Sequence, residues 1–304
     1  MGHGHGHGSS AVGARRRRLS IVLALTASVM VVEIIGAVLS GSLALIADAG
    51  HMLTDVGGLA LALFATVLAE RPVSDRRTYG YKRAAVLAAA AQAAVLLAVG
   101  VFVLVEGIRR LLAPPEVATT SMLVFGVIGL VANCIGLLIL FRSQAETLNT
   151  RAAFLEVAND ALGSAAVIVA AIVIALTGWQ RADAVASLLI GALIVPRTIM
   201  LLRESVEVLL ESTPRSLDLD QVRRHMVELP HVQSVHDLHA TQLSSDLPVL
   251  TAHVVVDESC FHDGHLAEML DQLQGCLAGH FDVEHSTLQF ERPVHAEHEA
   301  GAHQ

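Results

Sequence analysis

The sequence predicts an α-helical membrane protein with six transmembrane helices, followed by a small α+β domain. Of its 304 residues, 53% are hydrophobic and only 16% are charged, whereas soluble domains carry about 25% charged residues. The charges are sparse between Leu19 and Leu202 and dense after Glu204. We therefore expect a membrane domain over residues 19–212 and a soluble domain over residues 213–292, flanked by flexible tails at residues 1–18 and 293–304.

The N-terminal tail is rich in glycine, serine and histidine, which predicts a flexible segment. It is either an unstructured remnant or a weak metal-collecting tail that uses His3, His5 and His7. The basic run from Arg15 to Arg18 precedes an apolar run, as in a signal peptide. That run is longer than a signal sequence and further apolar runs follow at once, so we expect a retained first helix.

Six apolar runs each reach the length of about 20 residues that a helix needs to cross about 30 Å of hydrocarbon. They cover residues 19–39, 42–68, 84–111, 119–141, 152–177 and 182–202. Most lysines and arginines of the short connections fall on the side that also holds the N-terminus, which predicts that both termini are cytoplasmic. We expect a multi-pass protein of a bacterial inner (plasma) membrane.

Two of these runs carry titratable pairs. His51 and Asp55 are four residues apart in the second run, so a helix places them on one face. Titratable groups at membrane depth are costly and are retained where they bind something or face water. Glu156 and Asp160 repeat the spacing in the fifth run. Together the pairs supply four nitrogen and oxygen donors, the number that tetrahedral Zn²⁺ requires.

The two pairs are expected at overlapping depths. At 1.5 Å per residue, the first pair lies about 14–20 Å from the outer surface and the second about 6–12 Å from the inner surface. The small residues 163–166 allow the two helices to approach closely. A structural polar network is the alternative, but three carboxyl groups and one imidazole need a cation to neutralise them.

Other polar residues in the apolar runs have less specific interpretations. Asp48 lies one turn before His51 and is either a proton-relay or entry-path residue or a helix-packing residue. Glu33 and Asn133 are typical of helix–helix hydrogen bonds, and Cys134 of a small packing residue. The three cysteines, Cys134, Cys260 and Cys276, have no short spacing and predict no disulfide framework.

The soluble part predicts the order α-β-β-α-β. Ser216 is the expected N-cap of a helix whose apolar face carries Leu219, Val222 and Met226. Residues 235–241, 249–257 and 286–292 are expected strands. A helix between the last two strands is indicated by apolar positions at helical spacing: Leu266, Met269, Leu270, Leu273 and Leu277. This order favours a small sheet with helices on one face.

Four segments in order resemble the cation diffusion facilitator family of zinc-type metal/proton antiporters. They are ADAGHMLTD from Ala47, TYGYKRAAVLAAA from Thr78, DALGSAAVIVAA from Asp160 and VHDLHA from Val235. The resemblance runs from about Leu19 to Glu291. It implies a ferredoxin-like cytoplasmic domain, a homodimer formed through that domain, and export of divalent metal, above all Zn²⁺, in exchange for protons.

The resemblance also implies a second, regulatory zinc site in the cytoplasmic domain. The matching residues are His236, His253, His285 and Glu291, and weaker candidates are His231, His239 and His265. The chain departs from many zinc-type relatives at Glu156, where they have histidine. Because Glu156 supplies an oxygen ligand, which suits harder ions, the sequence does not decide between Zn²⁺ and the alternative substrates Cd²⁺, Co²⁺ and Mn²⁺. The family's tryptophan after the HDLH motif is absent here, with Thr241 and Gln242 nearby.

Two other functions remain as alternatives to transport. An intramembrane zinc enzyme would need an open coordination position and a general base, yet no HExxH or nucleophile arrangement is visible. A membrane-tethered metal sensor would make the soluble domain the working part. A nucleic-acid partner is not expected because the sequence has no strongly basic surface segment. The expected partners are divalent metal ions, protons, the lipid bilayer and a second copy of the chain.

Overall fold

The structure is a computed structural model that describes residues 7–69, 71–141, 148–244 and 247–296. Six long helices come first in the chain. Their bounds are α1 His7–Ser40, α2 Leu43–Ala69, α3 Ala84–Leu112, α4 Thr119–Phe141, α5 Leu148–Thr177 and α6 Arg181–Leu209. In the described part of the chain, five of these helices are long and apolar enough to cross a membrane. The other long helix, α2, has 27 residues.

The predicted helical membrane domain is therefore confirmed, but its first helix begins earlier than expected. Residues 7–18, predicted as part of a flexible tail, are helical in α1. Alanine and the arginines Arg15 to Arg18 are strong helix formers, and a single interior glycine costs only about 1 kcal/mol. The helix of the apolar run therefore continues toward the N-terminus. His3, His5, His298 and His303 lie outside the described residues.

The interior of the helical unit is packed with small and branched side chains from α1 to α6. Its fully buried members include Leu45, Val103, Met122, Val167 and Ala171. Chain compactness divides the molecule into two units, Met1–Leu63 with Ala91–Leu202, and Phe64–Ala90 with Arg203–Gln304. The second unit thus includes the segment that links α2 to α3, whereas the sequence placed the domain boundary at residue 213.

The C-terminal part forms a three-stranded sheet with helices. Its elements are α7 Leu219–Val227, β1 Val232–Ser244, β2 Leu247–Val256, α8 Cys260–Asp263, α9 Leu266–Phe281, β3 His285–Glu291 and α10 Pro293–Ala296. The strand order is β1-β2-β3, with β1 antiparallel and β3 parallel to β2. A parallel pair needs a crossover connection, which α8 and α9 supply. The predicted α-β-β-α-β order is confirmed, with short helices added.

The core of this part confirms the predicted helix faces but corrects one helix end. Val222 and Met226 of α7 and Leu273 and Leu277 of α9 are buried together with the sheet. The N-cap of α7 is Asp218 and not Ser216, because the Asp218 carboxylate accepts hydrogen bonds from the nitrogens of Asp220 and Gln221. Those nitrogens belong to the first turn of α7, where backbone donors lack partners within the helix.

Candidate metal centres

Three of the four predicted membrane ligands converge between α2 and α5. His51 Nε2 lies 3.4 Å from Asp55 Oδ2 and 3.9 Å from Asp160 Oδ1. One ligand atom from each residue lies within 4.8 Å of the other two. Tetrahedral bonds of about 2.0–2.2 Å separate neighbouring ligand atoms by about 3.3–3.6 Å. The three side chains therefore need little adjustment to hold one cation.

The three side chains are buried and incompletely satisfied. His51 is 5% exposed and Asp160 is 2% exposed. Within the described residues, His51 Nδ1, Asp55 Oδ2 and Asp160 Oδ1 have no hydrogen-bond partner. Buried polar atoms are nearly always hydrogen-bonded, and each exception calls for an explanation such as a missing ion. The free oxygens of Asp55 and Asp160 both lie within 3.9 Å of His51 Nε2, which is the arrangement of a cation site.

Glu156 lies one helical turn before Asp160 on α5 but is not one of the three converging residues. It is partly buried and interacts electrostatically with both Asp55 and His51. The structure thus places its charge near the site without bringing its carboxylate into the group. Its role as a fourth ligand stays a prediction.

Two residues that the sequence did not single out also border the site. Asn159 Nδ2 lies 3.4 Å from His51 Nε2, the nitrogen that faces the carboxylates. Arg197 on α6 interacts electrostatically with His51, Asp55 and the two acids of α5. Asn159 stands directly before Asp160 in the sequence, and this position could have identified it as a residue of the site. Helix packing places Arg197 near the site, and no local sequence pattern predicts this.

A second polar cluster begins one turn away on α2 and α5, with Asp48 and Ser164, and includes Glu33 of α1 and Asn133 of α4. Ser164 Oγ lies 3.3 Å from Asp48 Oδ2 and 3.5 Å from Glu33 Oε1, and Asn133 Nδ2 donates to it at 3.4 Å. All four side chains are at most 2% exposed. The single hydroxyl proton of Ser164 serves one carboxylate at a time. Two buried acids of different helices therefore share the one hydroxyl donor of Ser164.

The close approach of α2 and α5 depends on glycine. A Cβ placed on Gly163 would lie 2.5 Å from Asp48 Oδ1. Small residues permit such backbone proximity between membrane helices. Gly163 lies three residues after Asp160, so the same contact holds the ligands of α5 against those of α2.

The soluble part holds a second cluster across its three strands. His236 Nε2 lies 3.3 Å from Glu291 Oε2, and His253 Nδ1 lies 2.9 Å from Glu291 Oε1. His236 on β1 pairs directly with His253 on β2, and Glu291 ends the neighbouring strand β3. Glu291 is 2% exposed. The three residues form a ligand group of two imidazoles and one carboxylate.

The fourth residue predicted for this cluster, His285, does not join it within the chain. His285 begins β3 and pairs with Val249, whereas Glu291 ends the same strand. Six residues of extended strand cover about 20 Å, so these two side chains of one chain lie too far apart to share an ion. The His285 ring instead lies edge-on to Tyr79, with centroids 6.0 Å apart.

Asp237 approaches the cluster although the sequence did not mark it. Its Oδ2 lies 3.7 Å from His253 Nε2. The pairing of β1 with β2 shifts between His236 and His239, and Asp237 has a positive φ of 47°. Such a bulge re-aims side chains. Of the weaker candidates, His231 pairs with Asp257 and His239 with Asp237, and neither joins the group.

Comparison with protein families gives two matches that together span most of the chain. Residues 19–210 match the model of the cation efflux transmembrane domain. Residues 214–293 match the model of the cation efflux protein cytoplasmic domain. Their order and extent agree with the helical part and the sheet-containing part described above.

Several characterised proteins are similar over most of their length. The metal cation efflux system protein CzcD of Cupriavidus metallidurans is 44% identical over 89% of this chain and 85% of its own. The zinc transporter ZitB of Escherichia coli is 41% identical over 89% and 86%. A cadmium, cobalt and zinc/H(+)-K(+) antiporter of Bacillus subtilis is 37% identical over 88% and 86%.

One solved structure is also similar in sequence. It is the metal-bound C-terminal domain of the CzcD transporter of Cupriavidus metallidurans, 39% identical, with a TM-score of 0.22. The match covers 25% of this chain and 99% of that domain.

Proposed function

The chain belongs to the cation efflux family, the cation diffusion facilitators, and on that premise we propose that it exports Zn²⁺ in exchange for protons. It is a membrane transporter of metal cations and not an enzyme. The observation that carries the finer proposal is the convergence of His51, Asp55 and Asp160, in which the buried oxygens Asp55 Oδ2 and Asp160 Oδ1 lack hydrogen-bond partners among the described residues. Zn²⁺ is the transported substrate, with Cd²⁺ and Co²⁺ as further substrates.

The charge of the site fits one divalent cation. The carboxylates of Asp55, Glu156 and Asp160 contribute three negative charges when ionised, and the nearby Arg197 contributes one positive charge. The sum is −2, which a single divalent ion neutralises. We propose that Glu156 acts as the fourth ligand and moves by a side-chain rotation when the ion enters.

Proton exchange follows from the ligand types. An imidazole must be neutral and a carboxyl group must be ionised to bind a metal, so protons and metal compete for the same atoms. A site that opens alternately to the two sides of the membrane releases metal where protons are abundant and binds it where they are scarce. An inward proton gradient therefore drives metal outward.

Asp48, Glu33 and Ser164 extend the acidic path beyond the transport ligands. Asp48 lies one turn from His51 and Ser164 one turn from Asp160, so the cluster continues along the same helix faces. We propose that these acids carry protons or guide the cation on one side of the site. Their fully buried carboxylates make a purely structural role expensive.

The remaining parts of the proposal concern topology and assembly. We propose that both termini are cytoplasmic, as the distribution of lysine and arginine predicts. The cytoplasmic domain would form a homodimer, and its His236, His253 and Glu291 cluster would bind a regulatory zinc ion. The Bacillus subtilis relative is named as a metal/H⁺ antiporter, which supports proton coupling here.

The test is transport by variants that each lack one ligand. Asp55→Ala and Asp160→Ala should abolish Zn²⁺ uptake into everted vesicles and Zn²⁺-dependent proton flux in proteoliposomes. Both variants should still insert into the membrane. Asp75→Ala, which removes an exposed carboxylate between α2 and α3, is the matched control and should transport normally. Zinc transport at the normal rate by either ligand variant would refute the site, and absent transport by the wild-type protein would favour a metal sensor.

A further inference from the structure

A further group of three metal-ligand side chains lies in the soluble part and shares no residue with the clusters described above. His225 belongs to α7, and Cys276 and His280 belong to α9. One ligand atom from each residue lies within 4.8 Å of the other two. None of the three residues is shared with the His236, His253 and Glu291 cluster.

The spacing of the two imidazoles suits a common metal ion. His225 Nε2 lies 3.2 Å from His280 Nδ1. Two Zn–N bonds of about 2.0–2.1 Å at the tetrahedral angle separate the nitrogens by about 3.3–3.4 Å. A hydrogen bond between the rings also accounts for this distance. It does not account for the thiol of Cys276, whose sulfur lies within 4.8 Å of a ring nitrogen of each histidine.

Local structure holds the three side chains in place. Cys276 and His280 are four residues apart on α9, so they lie on one face of the helix. Leu273 and Leu277 anchor α9 in the core, and Met226, next to His225, anchors α7. Ligands carried by packed helices are more exactly positioned than ligands on loops.

The His225 ring is oriented by neighbours outside the group. Its Nδ1 lies 3.7 Å from Glu228 Oε2, which leaves Nε2 directed at His280. The ring of Phe281 packs against it edge-on with centroids 5.6 Å apart. A carboxylate at the far nitrogen of a ligating histidine is the usual outer partner of a metal site.

We propose that His225, Cys276 and His280 bind a borderline-soft divalent cation, Zn²⁺, Cd²⁺ or Co²⁺. Thiolate and imidazole ligands favour these ions over Mn²⁺ and Mg²⁺, which prefer oxygen. Three protein ligands leave the fourth tetrahedral position for water or another donor. The bound ion links α7 to α9. Metal binding in the soluble part of the chain is therefore coupled to the contact between these two helices. This proposal does not depend on the residues of the transport site.

The sulfur ligand gives this site a spectroscopic signature. The His51, Asp55 and Asp160 group and the His236, His253 and Glu291 group contain no cysteine and cannot produce it. Titration of the metal-free, reduced full-length protein in detergent with Co²⁺ should produce a thiolate-to-cobalt charge-transfer absorption. Cys276→Ser should lose this absorption but keep the weaker visible bands of Co²⁺ at nitrogen and oxygen sites. Cys134→Ser, at a cysteine of α4 that belongs to none of the ligand groups among the described residues, should keep it.

The histidines and the outer carboxylate provide graded tests. His225→Gln and His280→Gln should each raise the Co²⁺ concentration at half-maximal charge transfer by more than about tenfold, and Glu228→Gln by about tenfold at most. Zn²⁺ and Cd²⁺ should displace Co²⁺ from the site, whereas Mn²⁺ should not. Asp55→Ala should leave the thiolate-to-cobalt absorption unchanged. A failure of the transport proposal is therefore distinguished from a failure of this one.

Two results would overturn the proposal. One is the absence of charge transfer in the wild-type protein at saturating Co²⁺. The other is an undiminished signal in Cys276→Ser. Thermal unfolding of the metal-free variants, compared with metal-free wild type, shows whether each still folds. Cys276→Ala serves as a second sulfur-free variant if the serine form is unstable.

Discussion

Asp183 on α6 accepts a hydrogen bond of 2.8 Å from the backbone nitrogen of Leu43, the first residue of α2. The same carboxylate accepts from the Ala44 nitrogen at 3.2 Å and from Ser42 Oγ at 2.5 Å. First-turn nitrogens have no partner within their own helix, and a negative charge there is favourable. Asp183 therefore caps α2 from another helix. His51 follows Leu43 by eight residues, or about 12 Å of helix, so we expect this cap to influence the axial position of the ligands.

We expect Asp183→Ala to lower stability by about 1–2 kcal/mol, the upper range for a lost N-cap, and to reduce Zn²⁺ transport. Asp183→Asn keeps an acceptor oxygen but loses the charge that lies 3.7 Å from Arg110 Nη1, so its loss should be smaller. Thermal unfolding in detergent and vesicle uptake measure the two effects.

The control for Asp183 is Asp218→Ala, which removes the N-cap of α7 in the soluble part. This variant should lose stability but transport Zn²⁺ with an unchanged KM. If Asp183→Ala transported normally with wild-type KM, the cap would have no influence on the ligand positions.

The contact between Gly163 and Asp48 leads to a second prediction. We expect Gly163→Ala to force apart α2 and α5 or to displace the Asp48 carboxylate, because the added Cβ would lie 2.5 Å from Oδ1. Transport should fall several-fold while the protein still inserts. Gly57→Ala, whose Cβ would meet nothing within 4 Å, should have little effect. Equal transport by both variants would show that the close approach is not needed.

The sequence predicted the features that depend on local pattern. Apolar length located the six long helices, because the hydrocarbon thickness fixes how many residues a helix needs. The four-residue spacing placed His51 above Asp55 on one face, since this spacing follows from helix geometry alone. The prediction that the two pairs face each other rested on antiparallel direction, and the structure brings Asp160 to His51.

Some of the remaining features depend on contacts between distant parts of the chain, and others on a choice between similar local signals. Arg197 and Asp183 act through helix packing, which no local pattern encodes. His285 was assigned to the cluster of His236, His253 and Glu291 from the family resemblance, but the extended strand β3 separates it from Glu291 within the chain. Ser216 and Asp218 are both good N-cap residues and lie only two positions apart, so the sequence pattern did not choose between them. In the structure the cap is Asp218. Residues 7–18 are helical because helix propensity extends α1 beyond its apolar run.

A third prediction concerns pH and the soluble part. Asp257, after β2, accepts from Gln233 Nε2 at 2.7 Å and lies 3.0 Å from His231 Nδ1. The hydrogen bond from Gln233, followed by the one from His231, lowers the pKa of Asp257 below its ordinary value of 3.8. A carboxyl group with a lowered pKa in the folded state contributes stability above its unfolded pKa. That contribution is lost as the pH falls through the folded pKa.

We therefore expect Asp257→Asn to reduce the unfolding temperature at pH 6–7 and to differ progressively less from the wild type as the pH falls through the lowered pKa of Asp257. The difference should shrink as the pH falls from about 4. Thermal unfolding of the full-length protein across this range measures it. Glu284→Gln, at an exposed carboxyl group before β3, should show no such trend. A constant difference at all pH values would mean that the side-chain amide, and not the charge, determines the effect.

The last prediction tests whether Glu156 is a ligand. We expect Glu156→His to narrow selectivity toward Zn²⁺, because imidazole favours Zn²⁺ over the harder Mn²⁺, for which carboxylate is the better partner. The substitution also removes one negative charge from a site where Glu156 interacts with both Asp55 and His51. It adds a group with an ordinary pKa of about 6.5, so transport should become more sensitive to pH between about 6 and 7.

Uptake of Zn²⁺, Cd²⁺, Co²⁺ and Mn²⁺ into everted vesicles decides the role of Glu156. Glu116→His introduces the same side chain at an exposed position between α3 and α4 and should leave the ranking of metals unchanged. If Glu156 only orients α5, histidine should be neutral or should slow all four metals by the same factor. An active Glu156→His protein with the wild-type ranking would therefore exclude a ligand role and leave His51, Asp55 and Asp160 to bind the ion with water.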